Sequence, residues 1–152
     1  MEESIMIYLA APWVDRELAK TVRSQFEAAG IVVNSRWLDI EDTPLEEISL
    51  PERRYRAMID IEDVLNSSIL VLLNTKISEG KSVETGIAIA TGKGIVIVGK
   101  PSNVFHYLNI PLVETVEEAI DVVKHYPWTA SQLQNSVFMT EEAESKIVLA
   151  NG

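Results

Sequence analysis

The stretch Gly80-Lys81-Ser82-Val83-Glu84-Thr85-Gly86-Ile87-Ala88-Ile89-Ala90 sets a single carboxylate, Glu84, among small and apolar neighbours. In a helix Glu84 shares a face with Ile87 and Ala88, three and four residues further on, and such a helix otherwise buries that face. An acid in the first turn of a helix gains about 0.3–1 kcal/mol from the dipole, which accounts for Glu84 without any function. The alternative is a nucleophile or base held in a cleft, with Gly80 and Gly86 letting a ligand approach the backbone closely. Asp60 and Asp63 stand three apart with Arg56 four before Asp60, a spacing that aligns all three along one helix face. An Arg56–Asp60 pair on a solvated face explains them equally well. Tyr8 lies in a strand-like run, where tyrosine is common. Trp13 and Trp37 are amphipathic surfaces suited to sandwiching a planar ring or to ordinary packing.

Several familiar chemistries are excluded. The first strand is followed by Ala10-Ala11-Pro12-Trp13 where a dinucleotide site needs G-x-G-x-x-G, and no G-x-x-x-x-G-K-[ST] occurs. A phosphoreceiver needs an aspartate at the end of the third strand, which here reads Leu73-Asn74-Thr75. There is no G-x-S-x-G elbow, and His106 and His125 are too few and too poorly placed for a metal site or a catalytic triad. His125 and Lys124 suit the carboxyl end of a helix dipole instead. Without cysteine, a thiolate nucleophile, a disulfide scaffold and a thiolate zinc site are impossible.

The chain of 152 residues is 47% apolar and 24% charged, the composition of one globular domain. Thirteen Lys and Arg against twenty-three Asp and Glu give a net charge of −10, which repels nucleic-acid polymers and anionic membranes. A small anionic ligand remains possible, because backbone N–H groups at a helix end act within about 8–10 Å. The apolar stretches Ile69–Leu73 and Ile95–Val98 fall far short of the roughly 20 residues that span a bilayer. With an acidic start and no cysteine, an intracellular, cytoplasmic and soluble protein is expected.

The elements that must position these residues follow from periodicity. Ile5–Ala10 reads as a strand, and Arg16–Ala29 as a helix with Leu18, Val22, Phe26 and Ala29 on its buried side. Gly30 closes that helix in a left-handed cap, and Ile31–Val33 is the second strand. Asn34–Ser49 reads as a loop over the strand ends. Pro51–Asn66 reads as a helix with Ala57, Ile61, Val64 and Leu65 on one side. The uninterrupted run Ile69–Leu73 is a central strand covered on both faces. A turn over Lys76–Gly80, a helix over Ser82–Thr91, a cap at Gly92 and a strand over Ile95–Val98 continue the alternation. Ile110–Val113 is the fifth strand, and Thr115 with Glu118 forms a capping box for a helix through Lys124. The expected fold is a single-domain, three-layer, doubly wound α/β fold, flavodoxin- or Rossmann-like. Its parallel five-stranded sheet has the order 2-1-3-4-5 and places ligands at the carboxyl ends of strands one and three. Residues 1–126 form this domain, and 127–152 are a C-terminal tail or an arm laid on a neighbouring subunit.

Ile7-Tyr8-Leu9-Ala10-Ala11-Pro12-Trp13, Asp60, the apolar third strand and Val83-Glu84-Thr85-Gly86-Ile87-Ala88 together resemble the nucleoside 2-deoxyribosyltransferase family, including its relatives that hydrolyse deoxynucleoside monophosphates. The likeness spans Ile5 to about Lys124. Its most specific part is the E-x-G-x-A helix start behind a buried strand, with Asp60 twenty-four residues before Glu84 and a tyrosine in strand one. The resemblance implies that Glu84 is the nucleophile, that Tyr8 orients it, and that Asp60 assists at the sugar or the leaving base. It also implies a 2′-deoxy sugar and a homodimer or larger assembly. There Asn103–Tyr107 or the tail from Pro127 closes a neighbour's pocket.

Two departures bear on substrate. Where the transferases carry an aspartate six residues before the nucleophile, this chain has Ser78, which looks like the hydrolases' phosphate-contacting serine. The hydrolases' serine and arginine after strand one are missing, with Pro12 and Val14 in that region. Ser82 and Lys81 are candidates to hold a phosphate, or are a plain helix cap and a solvated lysine.

The reading that follows is cleavage of the N-glycosidic bond of 2′-deoxynucleosides or their 5′-monophosphates, with the sugar passed to another base or to water. Glu84, Asp60 and Tyr8 are the catalytic candidates. Ser78, Gly80, Ser82, Trp13, Trp37, Asp63 and Asn103 are the candidates for substrate binding. No cofactor and no metal are called for. The alternatives are a non-catalytic nucleotide-binding or sensing module on the same fold, or a glycohydrolase of an NAD-type dinucleotide.

Overall fold

In the computed structural model residues 5–126 and Trp128 are described. The expected tail, 127–152, lies outside the described residues apart from Trp128. Five strands, β1 (Met6–Ala10), β2 (Val32–Val33), β3 (Ile69–Asn74), β4 (Gly94–Gly99) and β5 (Leu112–Val113), form one sheet in the order β2-β1-β3-β4-β5. All four pairings are parallel, with Tyr8 opposite Leu70 and Ala10 opposite Leu72. Four helices, α1 (Arg16–Ala28), α2 (Leu50–Asn66), α3 (Glu79–Ala90) and α4 (Val116–His125), supply the crossovers. The expected doubly wound architecture is therefore present. The strand order reverses between β1 and β3, and the loops after these two strands open at the same end of the sheet.

The core follows the sequence pattern at the centre of the sheet. Every residue of Ile69–Leu73 is buried, as a strand covered on both faces requires. Ile95–Ile97 and Ile7–Ala10 are buried alongside it. Gly30 and Gly92 adopt φ of +83° and +69° just past α1 and α3, the left-handed cap conformation that side-chain-bearing residues resist. Thr115 caps α4, its hydroxyl accepting from the Glu118 amide at 3.1 Å. Among the described residues no helix is long and apolar enough to cross a membrane.

Three expectations about helix faces are corrected. In α1 the buried side is Ala19, Val22 and Phe26, whereas Leu18 is exposed. In α2 the buried residues are Ile59, Asp63 and Val64, so the helix is rotated from its apparent apolar stripe. Ala57, Ile61 and Leu65 face outward with Tyr55 and Met58. The third concerns α3, which begins at Glu79 with Ser78 as its N-cap, the Ser78 hydroxyl accepting from the Lys81 amide at 3.5 Å. Ser82 is therefore inside the helix and is not its cap. Its hydroxyl donates back to the Ser78 carbonyl at 3.2 Å.

Candidate active site

Starting α3 at Glu79 puts Glu84 in the second helical turn. A dipole contribution fades beyond the first turn, so the simple electrostatic explanation for this acid loses its basis. Glu84 points instead toward β1, where the buried Tyr8 hydroxyl donates a hydrogen bond to Glu84 Oε2. The other oxygen, Oε1, lies on the Gly80 side: a Cβ built on Gly80 would sit 3.8 Å from it and 3.8 Å from Ser78 Oγ. One carboxylate oxygen is thus held by the phenol, and the second borders the bare backbone of the first turn.

This edge lines a cavity of about 240 Å³ between the loops after β1 and β3, walled by Ala11, Trp13, Trp37, Ile40, Arg56, Asp60, Ser78, Gly80, Lys81 and Glu84. It occupies the switch point of the sheet, where the strand order predicts a ligand. Burial pushes the Glu84 carboxyl up to about 8. Asp60 is pushed up to about 6, chiefly by burial, then by the like charge of Asp63, with Arg36 opposing. Asp60 Oδ1 is buried without a hydrogen-bond partner among the described residues. Two carboxyls of raised affinity for protons in one cleft are the usual signature of acid–base chemistry.

The indoles of Trp13 and Trp37 wall the cavity with ring centroids 6.1 Å apart and planes tilted by 40°. Trp37 is buried, its indole N–H donating to the Leu9 carbonyl at 2.9 Å. Trp13 is half exposed, bonded to Asp42 at 3.1 Å and covered by the Arg16 guanidinium 4.5 Å from its ring. Apolar walls with a few directed polar groups suit a flat ring attached to a polar body.

The structure divides the remaining candidates. Asp63 does not line the cavity. It is 2% exposed and accepts from the Arg36 backbone amide at 2.8 Å and from Arg36 Nε at 2.9 Å, so its carboxylate is consumed in fixing the loop after β2. Ser82, Asn103 and Gly86 line a different cavity of about 600 Å³ on the β4 side of α3, with Ile77, Thr85 and Phe105 among its other walls. Gly86 therefore opens no path to Glu84. Asn103 caps the turn Val104–Tyr107, its side chain accepting from the Phe105 amide at 2.9 Å. Ser78 and Lys81 border both cavities. Lys81 is not a solvated lysine: it is 4% exposed, donates to Asn74 Oδ1 at 2.8 Å and to the Lys76 carbonyl, and burial lowers its proton affinity. His106 is buried beside the larger cavity with its proton affinity lowered by burial and by Lys81. Sequence reasoning gave no ligand role to Arg56, Ala11 or Ile40. The spacing of Arg56 from Asp60 was the one available signal, and it points equally to an ion pair. No group of three or more metal-ligating side chains occurs among the described residues.

Fold and site together define a doubly wound α/β protein whose carboxylates gather at the reversal of its parallel sheet. Solved structures that share this fold include three of known source. A conserved protein from Enterococcus faecalis has a TM-score of 0.62 at 21% identity, over 80% of this chain and 98% of that one. A CMP N-glycosidase from Clostridium botulinum has 0.53 at 16% identity, over 80% and 99%. A 2-deoxyribosyltransferase from the psychrotolerant bacterium Bacillus psychrosaccharolyticus has 0.58 at 18% identity, over 84% and 95%. The fold expected from the sequence resemblance is thus the one present. No protein-family profile matches the chain, and no curated protein matches it.

Proposed function

We propose that the protein is an enzyme that cleaves the N-glycosidic bond of 2′-deoxynucleosides or their 5′-monophosphates through Glu84. The observation that carries the reading is the Tyr8–Glu84 hydrogen bond at the edge of a cleft that also holds Asp60. The shared fold of a CMP N-glycosidase and a 2-deoxyribosyltransferase supports it. Glycosidic cleavage passes through an oxocarbenium-like state, which a carboxylate on the face opposite the base stabilises or traps. Glu84 Oε1 bonds to the anomeric carbon while Tyr8 fixes Oε2. The C–N bond breaks, its electron pair leaves with the base, and Asp60 donates a proton to that base. Water or a second base then attacks the sugar ester from the vacated face, returning Glu84 as carboxylate with configuration retained. Asp60, now a carboxylate, takes the proton that the water or the ring N–H of the incoming base gives up.

Trp13 and Trp37 flank the base in this arrangement, and Gly80 leaves room for the sugar. Ser78, at the amino end of α3, is placed to meet a 5′-phosphate. Chromatography after incubation with deoxynucleosides, their monophosphates and NAD, with and without free base, is the test. Free base without acceptor identifies hydrolysis, and exchange only with acceptor identifies transfer. Nicotinamide release from NAD alone, or no turnover of any substrate, overturns the reading.

The second reading is a module on the same fold that binds a nucleotide in this cleft without cleaving it. Such a module keeps its ligand affinity in Glu84→Gln and has no turnover to lose.

The assembly that goes with the enzymatic reading is a homodimer or larger in the cytosol, with the outward Tyr55, Met58, Ile61 and Leu65 of α2 as apolar surface to cover. The protruding Val104, Phe105 and Tyr107 segment then reaches toward a neighbour's cleft. Light scattering tests this, and a fully active monomer defeats it.

A further inference from the structure

Arg56 lines the cavity of Glu84 and Asp60 without pairing with either acid. Its Nε donates to Glu52 Oε1 at 3.2 Å, one turn back on α2, and its side chain is largely withdrawn from solvent. The terminal nitrogens Nη1 and Nη2 donate to no described residue. A guanidinium anchored by Nε on a residue that lines the cavity, its two terminal nitrogens unspent on described residues, is a fork for an oxygen acceptor. Asp60 follows Arg56 by four residues, about 6 Å along the helix axis, roughly the reach of one edge of a flat heterocycle. Both residues line the cavity that the two indoles also wall.

We propose that Arg56 determines base specificity by binding the exocyclic carbonyl oxygen of the leaving base, so that the site takes nucleosides of oxo-substituted bases in preference to adenine. This rests on the enzymatic reading above. When the C–N bond breaks, its electron pair enters the base. In a pyrimidin-2-one or a 6-oxopurine the charge flows largely onto the exocyclic oxygen, and hydrogen bonds from a cation strengthen as that charge grows. The base leaves bonded to Arg56 and takes its proton on nitrogen from Asp60. Adenine has no such oxygen, so its departure draws on the Asp60 proton alone. An interaction that strengthens toward the transition state appears in kcat more than in KM.

The experiment compares deoxycytidine, deoxyuridine and deoxyinosine with deoxyadenosine, as nucleosides and monophosphates, in the wild-type chain, Arg56→Met and Arg56→Gln, each checked by its thermal transition. The expected wild-type preference for oxo bases is about tenfold or more in kcat/KM. In both variants kcat for the oxo bases falls by roughly thirtyfold with KM within about threefold, and the oxo-to-adenine ratio collapses toward unity. A wild-type preference for deoxyadenosine, an equal loss for every base, or a loss confined to KM overturns the proposal. Absence of any turnover overturns the enzymatic reading instead. In that case calorimetric binding of hypoxanthine against adenine decides on Arg56, because only a hypoxanthine preference that Arg56→Met abolishes sustains it.

Discussion

The two cavities on either side of α3 differ in a way that size alone misrepresents. The larger, about 600 Å³, faces Thr85, Gly86 and Ile89, and has no carboxylate among the described residues that line it. The smaller, about 240 Å³, faces Gly80 and Glu84 and holds both acids whose protonation is displaced upward. One helix presents one face to each, because residues four apart align while a step of one or two turns the side chain away. The titrating groups sit at the sheet reversal, and the roomier void follows the packing left open between α3 and the loop after β4.

The largest effect separates the two sides outright. Glu84→Gln is expected to lower kcat by about a thousandfold or more, as removal of a nucleophile does. Gly86→Leu, whose Cβ meets nothing within 4 Å, is expected to change turnover by no more than about threefold. Steady-state kinetics on both variants checks this, and equal losses would erase the distinction between the faces.

Protonation sharpens it next. With Asp60 near 6 and Glu84 near 8, kcat/KM should trace a bell with limbs near those values. In the enzymatic reading the reactive form carries its proton on Asp60 and none on Glu84, so at pH 7 it is a minority of the enzyme. Asp63→Asn removes a like charge from beside Asp60, and the lower limb should move to lower pH. A limb that stays in place would deny Asp63 this influence.

Stability gives a smaller difference. A carboxyl whose affinity is raised in the folded state favours folding below its unfolded value of 4.5, and this contribution is lost as pH rises through about 8. Glu84→Gln should therefore be more stable than the wild type above pH 8, by roughly 1–3 kcal/mol, and not below pH 4. Urea unfolding at the two pH values measures it. On the far side of the helix, Thr85 Oγ1 is buried without a hydrogen-bond partner among the described residues. Thr85→Val removes that stranded hydroxyl and should stabilise by about 1 kcal/mol at every pH. A pH-dependent gain there would contradict the contrast.

The centre of the fold was legible because a buried parallel strand carries an unmistakable apolar run. Ile69–Leu73 and the glycine caps at Gly30 and Gly92 came directly from that logic. The face of α2 was not legible, since Ile61 and Leu65 are as apolar as Ile59 and Val64, and only tertiary contact reveals which pair is covered. Glu84, Tyr8 and Asp60 stand at one cleft, a grouping that the family resemblance implied and that spacing alone left open. Asp63 misled because a three-residue spacing fixes a shared face and says nothing of Arg36 arriving from a distant loop. Ser82 reads in the sequence as a helix cap because α3 begins three residues earlier than its apolar pattern suggests.

Arg36 and Trp37 are neighbours in the short turn Arg36–Asp39, yet one grips Asp63 on α2 and the other grips the Leu9 carbonyl on β1. That turn works as a cross-brace, setting how far the helix bearing Asp60 stands from the strand bearing Tyr8. Trp37 and Leu38 of that turn are also packed into the hydrophobic core, so lengthening or shortening the chain there would alter the width of the cleft and disturb the core with it: the gauge of the site is tied to the frame.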